Sequence, residues 1–320
     1  YQLLLARGDE FMSLVTNELI HQVCGVIPGC DLEIDVLGLL DYTGPGRLLS
    51  FLDDPKYLSQ ASSNPNLCAI LVTEHLANEL RECNSSAVML VVDDPRWCFY
   101  SLYNEVARYR NKEDTPTIVH PTAIVSRGAY IEEKNVTIGA RTVIEPGAVV
   151  LAPAIIGENC IIHAGAIIGA SGFEHKRTSK GILSVMHDGR VRIANEVEIG
   201  AGTNVAKGFH GRDTVIGDQT KVDALVHIAH AVSIGARCLI AAQAVLCGSV
   251  IVGDDVWIGP SATISNGVKI GNGAFITIGS CVVRDVREGE RVTGYFAIPH
   301  TEFLVRMVKS AKTRPNQGSF

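Results

Sequence analysis

The sequence predicts an α/β domain followed by a left-handed parallel β-helix and a short C-terminal helix. Two observations carry this reading. From Ile216 to Val282 an aliphatic residue returns at every sixth position: Ile216, Val222, Ile228, Ile234, Ile240, Leu246, Val252, Ile258, Ile264, Ile270, Ile276 and Val282. A shorter run, Ile138, Ile144, Val150, Ile156, Ile162 and Ile168, does the same. A period of six fits neither an α-helix nor an ordinary strand. It fits a solenoid in which one hexad is one flat side and three make a triangular turn, with the aliphatic residue inward. Ahead of the hexads, apolar β-rich runs alternate with helical ones, the pattern of a small α/β domain.

Taken in order, residues 1–20 read as a short helix or arm. Cys68–Val72 and Val88–Val92 read as strands, and His75–Arg81 and Arg96–Arg108 as helices, within a domain over 1–110. Arg108–Thr117, polar and interrupted by proline, reads as a linker. Hexads begin near Val119, slip by one residue before Ile138, and fill 111–292. About 24 hexads give about eight coils, a prism ~40 Å long at ~4.8 Å per coil. Two excursions break the repeat, Gly172–Arg190 and Ala206–Val215. Because the repeat already supplies stability, such loops are expected to wall a substrate or meet another subunit. The tail, 293–320, starts as an amphipathic helix with Phe303, Leu304, Met307 and Val308 on one side and Arg306, Lys309, Lys312 and Arg314 on the other.

Composition narrows the function. A net charge of −6 argues against general nucleic-acid binding. Nine cysteines without a CxxC pair fit a reducing compartment rather than a disulfide framework. No apolar run approaches a membrane span, and Tyr1–Gly8 lacks the layout of a signal peptide, so a cytoplasmic protein is expected.

The chemistry-bearing residues gather around the excursions, where His187, His210, His227 and His230 fall. His230 lies two positions past the inward Ile228, at a corner and outside the core. A neutral imidazole there can take a proton from an amine or hydroxyl. One coil is eighteen residues, so Gly248 stacks beside His230, and a donor arm running along the coils would continue past Asn266 and Gly267. The glycine is expected to let an acyl donor reach a backbone N–H that stabilises an oxyanion. Asp213 and Asp223 are both candidates to orient the imidazole. The three-residue spacing of His227 and His230 is weak support for a metal, and none is expected.

Several segments go beyond the hexad pattern. LEIDVLGLLDYTGPG runs into GPGRLLSFLDDPKYLSQ (44–60), and LVVDDPRWCFYSLYN (90–104) follows. In the prism stand IHAGAIIGASGF (162–173), DTVIGDQTKVDALVHIAHAVSIG (213–235) and GYFAIPHTEFL (294–304). Together they resemble the UDP-3-O-acylglucosamine N-acyltransferases, which act in lipid A and hence lipopolysaccharide biosynthesis. The resemblance covers roughly residues 15–305 and both domains in the same order. It implies a uracil held between Phe51 and Tyr57, in a motif that also supplies Asp54 and Lys56. It implies His230 as general base, with His227, His187 and His210 as candidates for sugar contacts. It further implies a homotrimer with sites in the clefts between prisms, no bound cofactor, and a thioester donor, either acyl-CoA or acyl carrier protein.

The chain departs from that family at Asp54, where asparagine is usual, and at Asp94. Ser171 replaces an acid, Ala231 an asparagine, and Gly267 a histidine on the donor side. Val256–Val286 looks like the last coils of acetyl-CoA-dependent sugar acetyltransferases. The reading that joins these points is an N-acyltransferase acting on the amine of a UDP-linked or other nucleotide-linked amino sugar, with a short acyl-CoA as donor. The second reading is the lipid A enzyme itself with a hydroxyacyl carrier-protein donor. A third, of another class, is a non-catalytic prism that binds nucleotide-sugars.

Overall fold

The computed structural model describes residues 15–83, 86–110, 115–294, 297, 299–302, 304 and 305. Residues 1–14 of the helix or arm expected over 1–20, and most of the C-terminal tail, including Phe303, Arg306, Met307, Val308, Lys309, Lys312 and Arg314, lie outside the described residues.

The first domain is built on a four-stranded, all-parallel sheet in sequential order: β1 (Val36–Leu37), β2 (Leu48–Leu52), β3 (Leu67–Val72) and β4 (Val88–Val91). Helix α1 spans Asn17–Cys24, capped by Thr16, whose hydroxyl accepts from Leu19 N, and ended by Gly25 at φ +73. Helices α2 (Leu58–Ser63), α3 (Glu74–Glu82) and α4 (Pro95–Arg110) follow. Strand alternation divides the core. Leu48, Leu52, Ile70 and Val72 pack with Ala61, Leu76 and Leu80 of α2 and α3. Leu49, Ala69, Leu71 and Leu90 pack with Ile20 of α1 and Phe99, Leu102 and Tyr103 of α4. Helix α4 runs on through Arg110, into the segment expected as linker.

The second domain is the expected prism: parallel sheets of eight, eight and nine short strands. The hexad aliphatics form one continuous buried core. In the uninterrupted coils the register advances by eighteen residues, as in His227↔Val245 and Val245↔Thr263. The excursions appear as register jumps: Ile167 pairs with Asn204, and Asn204 with His227. Corner residues such as Asn135, Arg141, Ala231 and Ser249 take φ near +60, the left-handed conformation that each tight turn requires.

Both excursions pack on α4. The first carries an antiparallel hairpin, His175–Thr178 with Gly181–Ser184. Buried Asn104 of α4 donates to Ser184 O at 2.9 Å and accepts from Met186 N at 2.8 Å. Ser179 N donates to Asp94 at 2.6 Å. The Tyr103 hydroxyl donates to Asp188 and accepts from His210 N at 2.8 Å. Val185, Phe209 and Ala231 of the prism domain join the same apolar cluster as Phe99 and Tyr103. The loops expected to wall a substrate or meet another subunit therefore stitch the two domains of one chain together.

Candidate active site

His230 is buried at the corner after Ile228, with 7% of its surface exposed. Its neighbours come from three directions. Phe209 of the second excursion meets the ring edge-on, with centroids 4.8 Å apart. From the first excursion, His187 lies at 5.6 Å between centroids, and Glu174 places Oε2 3.4 Å from His230 Nε2. From the next coil comes Gly248. A Cβ built there would fall 2.2 Å from His230 Cε1, 2.6 Å from Nε2 and 2.9 Å from the Asn266 Oδ1. The eighteen-residue stacking of 230, 248 and 266 is thus present in space. The room that this glycine leaves is occupied by the imidazole edge on one side and the Asn266 amide on the other. Gly172 leaves room in the same way, since a Cβ there would fall 2.7 Å from His187 Nε2 and 3.0 Å from His230 Cδ2. Gly267, at φ +72, has open space beside it and donates its N–H to Gly248 O at 3.0 Å.

Burial pushes the His230 pKa below its ordinary value, and Glu174 opposes that shift. Burial, and then the charge of His230, push His187 down to about 4. Both rings are therefore neutral near pH 7, the state a proton acceptor needs. His230 Nδ1 and His187 Nε2 are buried without a hydrogen-bond partner. Neither expected aspartate orients His230. Asp213 accepts from Arg190 N at 2.8 Å and pairs with Arg192, while Asp223 accepts from Ala224 N at 2.7 Å and Ala242 N at 3.2 Å. The carboxylate at the imidazole is Glu174, which the hexad pattern could not locate. Glu174 also pairs through Oε1 with Lys176, and Lys176 Nζ stands 4.8 Å over the Tyr100 ring of α4. Burial works against the Lys176 charge, but Glu174 and Tyr100 outweigh it and raise its pKa.

The other candidates lie apart from this centre. His227 is exposed on the adjoining flat face, 3.4 Å from Asn204 Nδ2. His210 sits in the domain seam, its ring stacked on Tyr103 at 4.4 Å and on Phe99 at 5.6 Å. That packing builds the ring into the seam. Phe51, at the end of β2, contacts Phe99 at 4.9 Å and Tyr100 at 5.7 Å. Tyr57 is exposed, in a short 3-10 turn over Pro55–Tyr57. Asp54 caps that turn through Lys56 N at 3.1 Å and holds Lys56 Nζ at 2.7 Å. The unexpected carboxylate is thereby neutralised by its own neighbour, which holds its pKa below the usual range. Among the described residues, no cluster of three or more His, Cys, Asp or Glu is arranged to hold a metal, and no helix is long and apolar enough to cross a membrane.

The family described as bacterial transferase hexapeptide (six repeats) matches residues 135–170 and 213–248, and that described as hexapeptide repeat of succinyl-transferase matches 249–283. The chain is 28% identical over 317 residues to the UDP-3-O-acylglucosamine N-acyltransferase of Herminiimonas arsenicoxydans, covering 90% of this chain and 89% of that one. It is 33% identical over 242 residues to the protein of the same name from Azorhizobium caulinodans, covering 66% of each. A solved UDP-N-acetylglucosamine acyltransferase from Campylobacter jejuni aligns at 24% identity and a TM-score of 0.47, over 63% of this chain and 86% of that one.

Proposed function

Because the chain belongs to the UDP-3-O-acylglucosamine N-acyltransferase family of hexapeptide-repeat acyltransferases, we propose that it moves an acyl group from a thioester to the amine of a UDP-linked amino sugar, with His230 as general base. The observation that carries this reading is the buried imidazole whose Cε1–Nε2 edge lies against Gly248, one coil before Asn266, closed in by both excursions. In the reaction, the acceptor ammonium gives one proton to Nε2. The freed amine attacks the thioester carbonyl, forming a C–N bond and a tetrahedral oxyanion. As the C–S bond breaks, the thiolate takes a proton from the imidazolium, and the second nitrogen proton leaves to solvent. Burial supports this role because it keeps the ring unprotonated in the resting enzyme.

Phe51 and Tyr57, with Asp54 and Lys56 beside them, are the proposed uridine end. The donor arm, from acyl-CoA or acyl carrier protein, is proposed to run along the coils past Gly248, Asn266 and Gly267. The relatives' names support UDP-3-O-acylglucosamine as acceptor. Ser171, Ala231 and Gly267 support a different amino sugar and a shorter acyl group. A homotrimer is supported by apolar residues exposed on the outside of the prism, among them Leu225, Ile278 and Val283.

Mass spectrometry of the protein with a grid of UDP- and dTDP-linked amino sugars against acetyl-CoA and 3-hydroxyacyl carrier protein separates the two acceptor readings. His230→Ala tests the base. Turnover is expected to fall by about 10²–10⁴-fold while nucleotide-sugar binding is kept. Near-wild-type turnover in that variant removes His230 from the reaction. No turnover in the parent with any pair, alongside retained nucleotide-sugar binding, favours the non-catalytic prism.

A further inference from the structure

We propose that Glu174 anchors the acceptor as an ammonium beside His230, making the site selective for an amine over a hydroxyl; this rests on the acyltransfer reading above. Four features of the structure support it. First, a carboxylate that only orients a catalytic imidazole sits on the ring nitrogen away from the reacting atoms. Here that nitrogen, Nδ1, is buried without a partner, and Glu174 stands instead on the Nε2 side, with Oε2 at 3.4 Å. Second, the two oxygens of Glu174 are divided. Oε1 is taken by Lys176, and Oε2 is turned toward the imidazole. Third, the carboxylate is well enclosed, with 14% of its side chain exposed, so a cation arriving at Oε2 gains a charge-assisted hydrogen bond in a poorly hydrated place. A hydroxyl there gains only a neutral donor's bond. Fourth, Glu174 is positioned from outside the repeat. Its own carbonyl accepts from Val185 N at 2.9 Å, across the hairpin that Asn104 holds to α4.

The arrangement also predicts a pH signature. The titratable groups in contact with the His230 ring are Glu174 and His187, and the charges of Lys176 on the hairpin, Arg212 on the second excursion and His227 on the adjoining face act on it from further away. Of these, Glu174 favours the imidazolium. Removing its charge makes the ring easier to deprotonate, so the acidic limb of the kcat/KM profile moves to lower pH.

The test compares wild type, Glu174→Gln and Glu174→Asp with a nucleotide-linked amino sugar and with the analogue carrying a hydroxyl in place of the amine. Glu174→Gln is expected to raise KM for the amine by about tenfold to a hundredfold, with a smaller change in kcat. The inhibition constant of the hydroxyl analogue should stay within about twofold, and the acidic limb should move down. Glu174→Asp should recover part of the loss. An unchanged KM with an unmoved limb overturns the proposal. Equal acylation of hydroxyl and amine by the wild type also overturns it, while leaving acyl transfer intact. If the wild type acylates nothing, the acyltransfer reading fails and this proposal falls with it. Imidazole NMR of the same variants still reports the pairing on its own, because the His230 titration must move downward in Glu174→Gln if the carboxylate faces the ring.

Discussion

The coils from Thr214 to Val292 and the coils broken by the two excursions follow the same hexad rule, yet they do different work. Between Val215 and Val282 successive strands pair at an eighteen-residue step, shortened to sixteen only at the last pairing of Phe275 with Arg291, and the buried aliphatics repeat without a break. The interrupted coils keep that core but send two loops outward to α4, where Asn104 and Tyr103 fasten them. His230 lies where the two meet. The regular run supplies Gly248 and Asn266, and the excursions supply Glu174, His187 and Phe209. Regularity fixes where the imidazole stands, and irregularity fixes what surrounds it.

The largest expected effect tests the contact between the regions. Gly248→Ala drives a methyl into the imidazole, whose Cε1 would lie 2.2 Å away, and the ring must turn off its axis. Turnover should drop by about 10²–10⁴-fold, as for loss of the base itself, while the melting temperature changes little. Wild-type turnover would mean that the imidazole works from another position.

A matched pair of variants separates the regions. Ile258→Ala empties a fully buried site in the regular run and should cost about 2–5 kcal/mol in denaturant unfolding, with specific activity unchanged in the folded fraction. Asn104→Ala strands Ser184 O and Met186 N and should cost about 1–3 kcal/mol, with a loss of turnover in protein that is still folded. Equal activity losses in the two variants would erase the distinction.

A pH experiment sharpens it further. His187 is held neutral in the fold, with its pKa pushed to about 4 against an ordinary value of 6.5. Below pH 6.5 the unfolded chain binds this proton and the folded chain does not. Stability should therefore fall as the pH drops from 6.5 toward 4 and level off below. The contribution is on the order of 3 kcal/mol. His187→Phe should flatten that slope in acid-unfolding curves; an unchanged slope would show that other groups set it.

The division also explains what could be read in advance. The strand at Leu67–Val72 and the helices at Glu74–Glu82 and Pro95–Arg110 follow from local apolar patterning. The prism follows from a period that twelve consecutive aliphatics keep. The same period places Gly248 and Asn266 against His230, because a repeat turns sequence distance into spatial distance. No such conversion exists for the excursions. Glu174 reaches His230 across 56 positions through a hairpin whose orientation is set by α4, whereas sequence distance alone points to Asp213 and Asp223. The seam position of His210 is hidden for the same reason, since nothing in its surrounding residues marks Tyr103 as a stacking partner 107 positions away.

The seam has a consequence for how the chain is made. Helix α4 is complete by residue 110, but the groups that cover its outer face, from Ser184 to His210, are about 75 to 100 residues downstream. At about 5–20 residues per second of ribosomal synthesis, the apolar side of α4 waits on the order of 5–20 seconds for its cover. During that interval the first domain is a half-finished body with the rings of Phe99 and Tyr103 uncovered on one side, the state in which a nascent chain is most open to chaperones and to premature association with its own copies on neighbouring ribosomes.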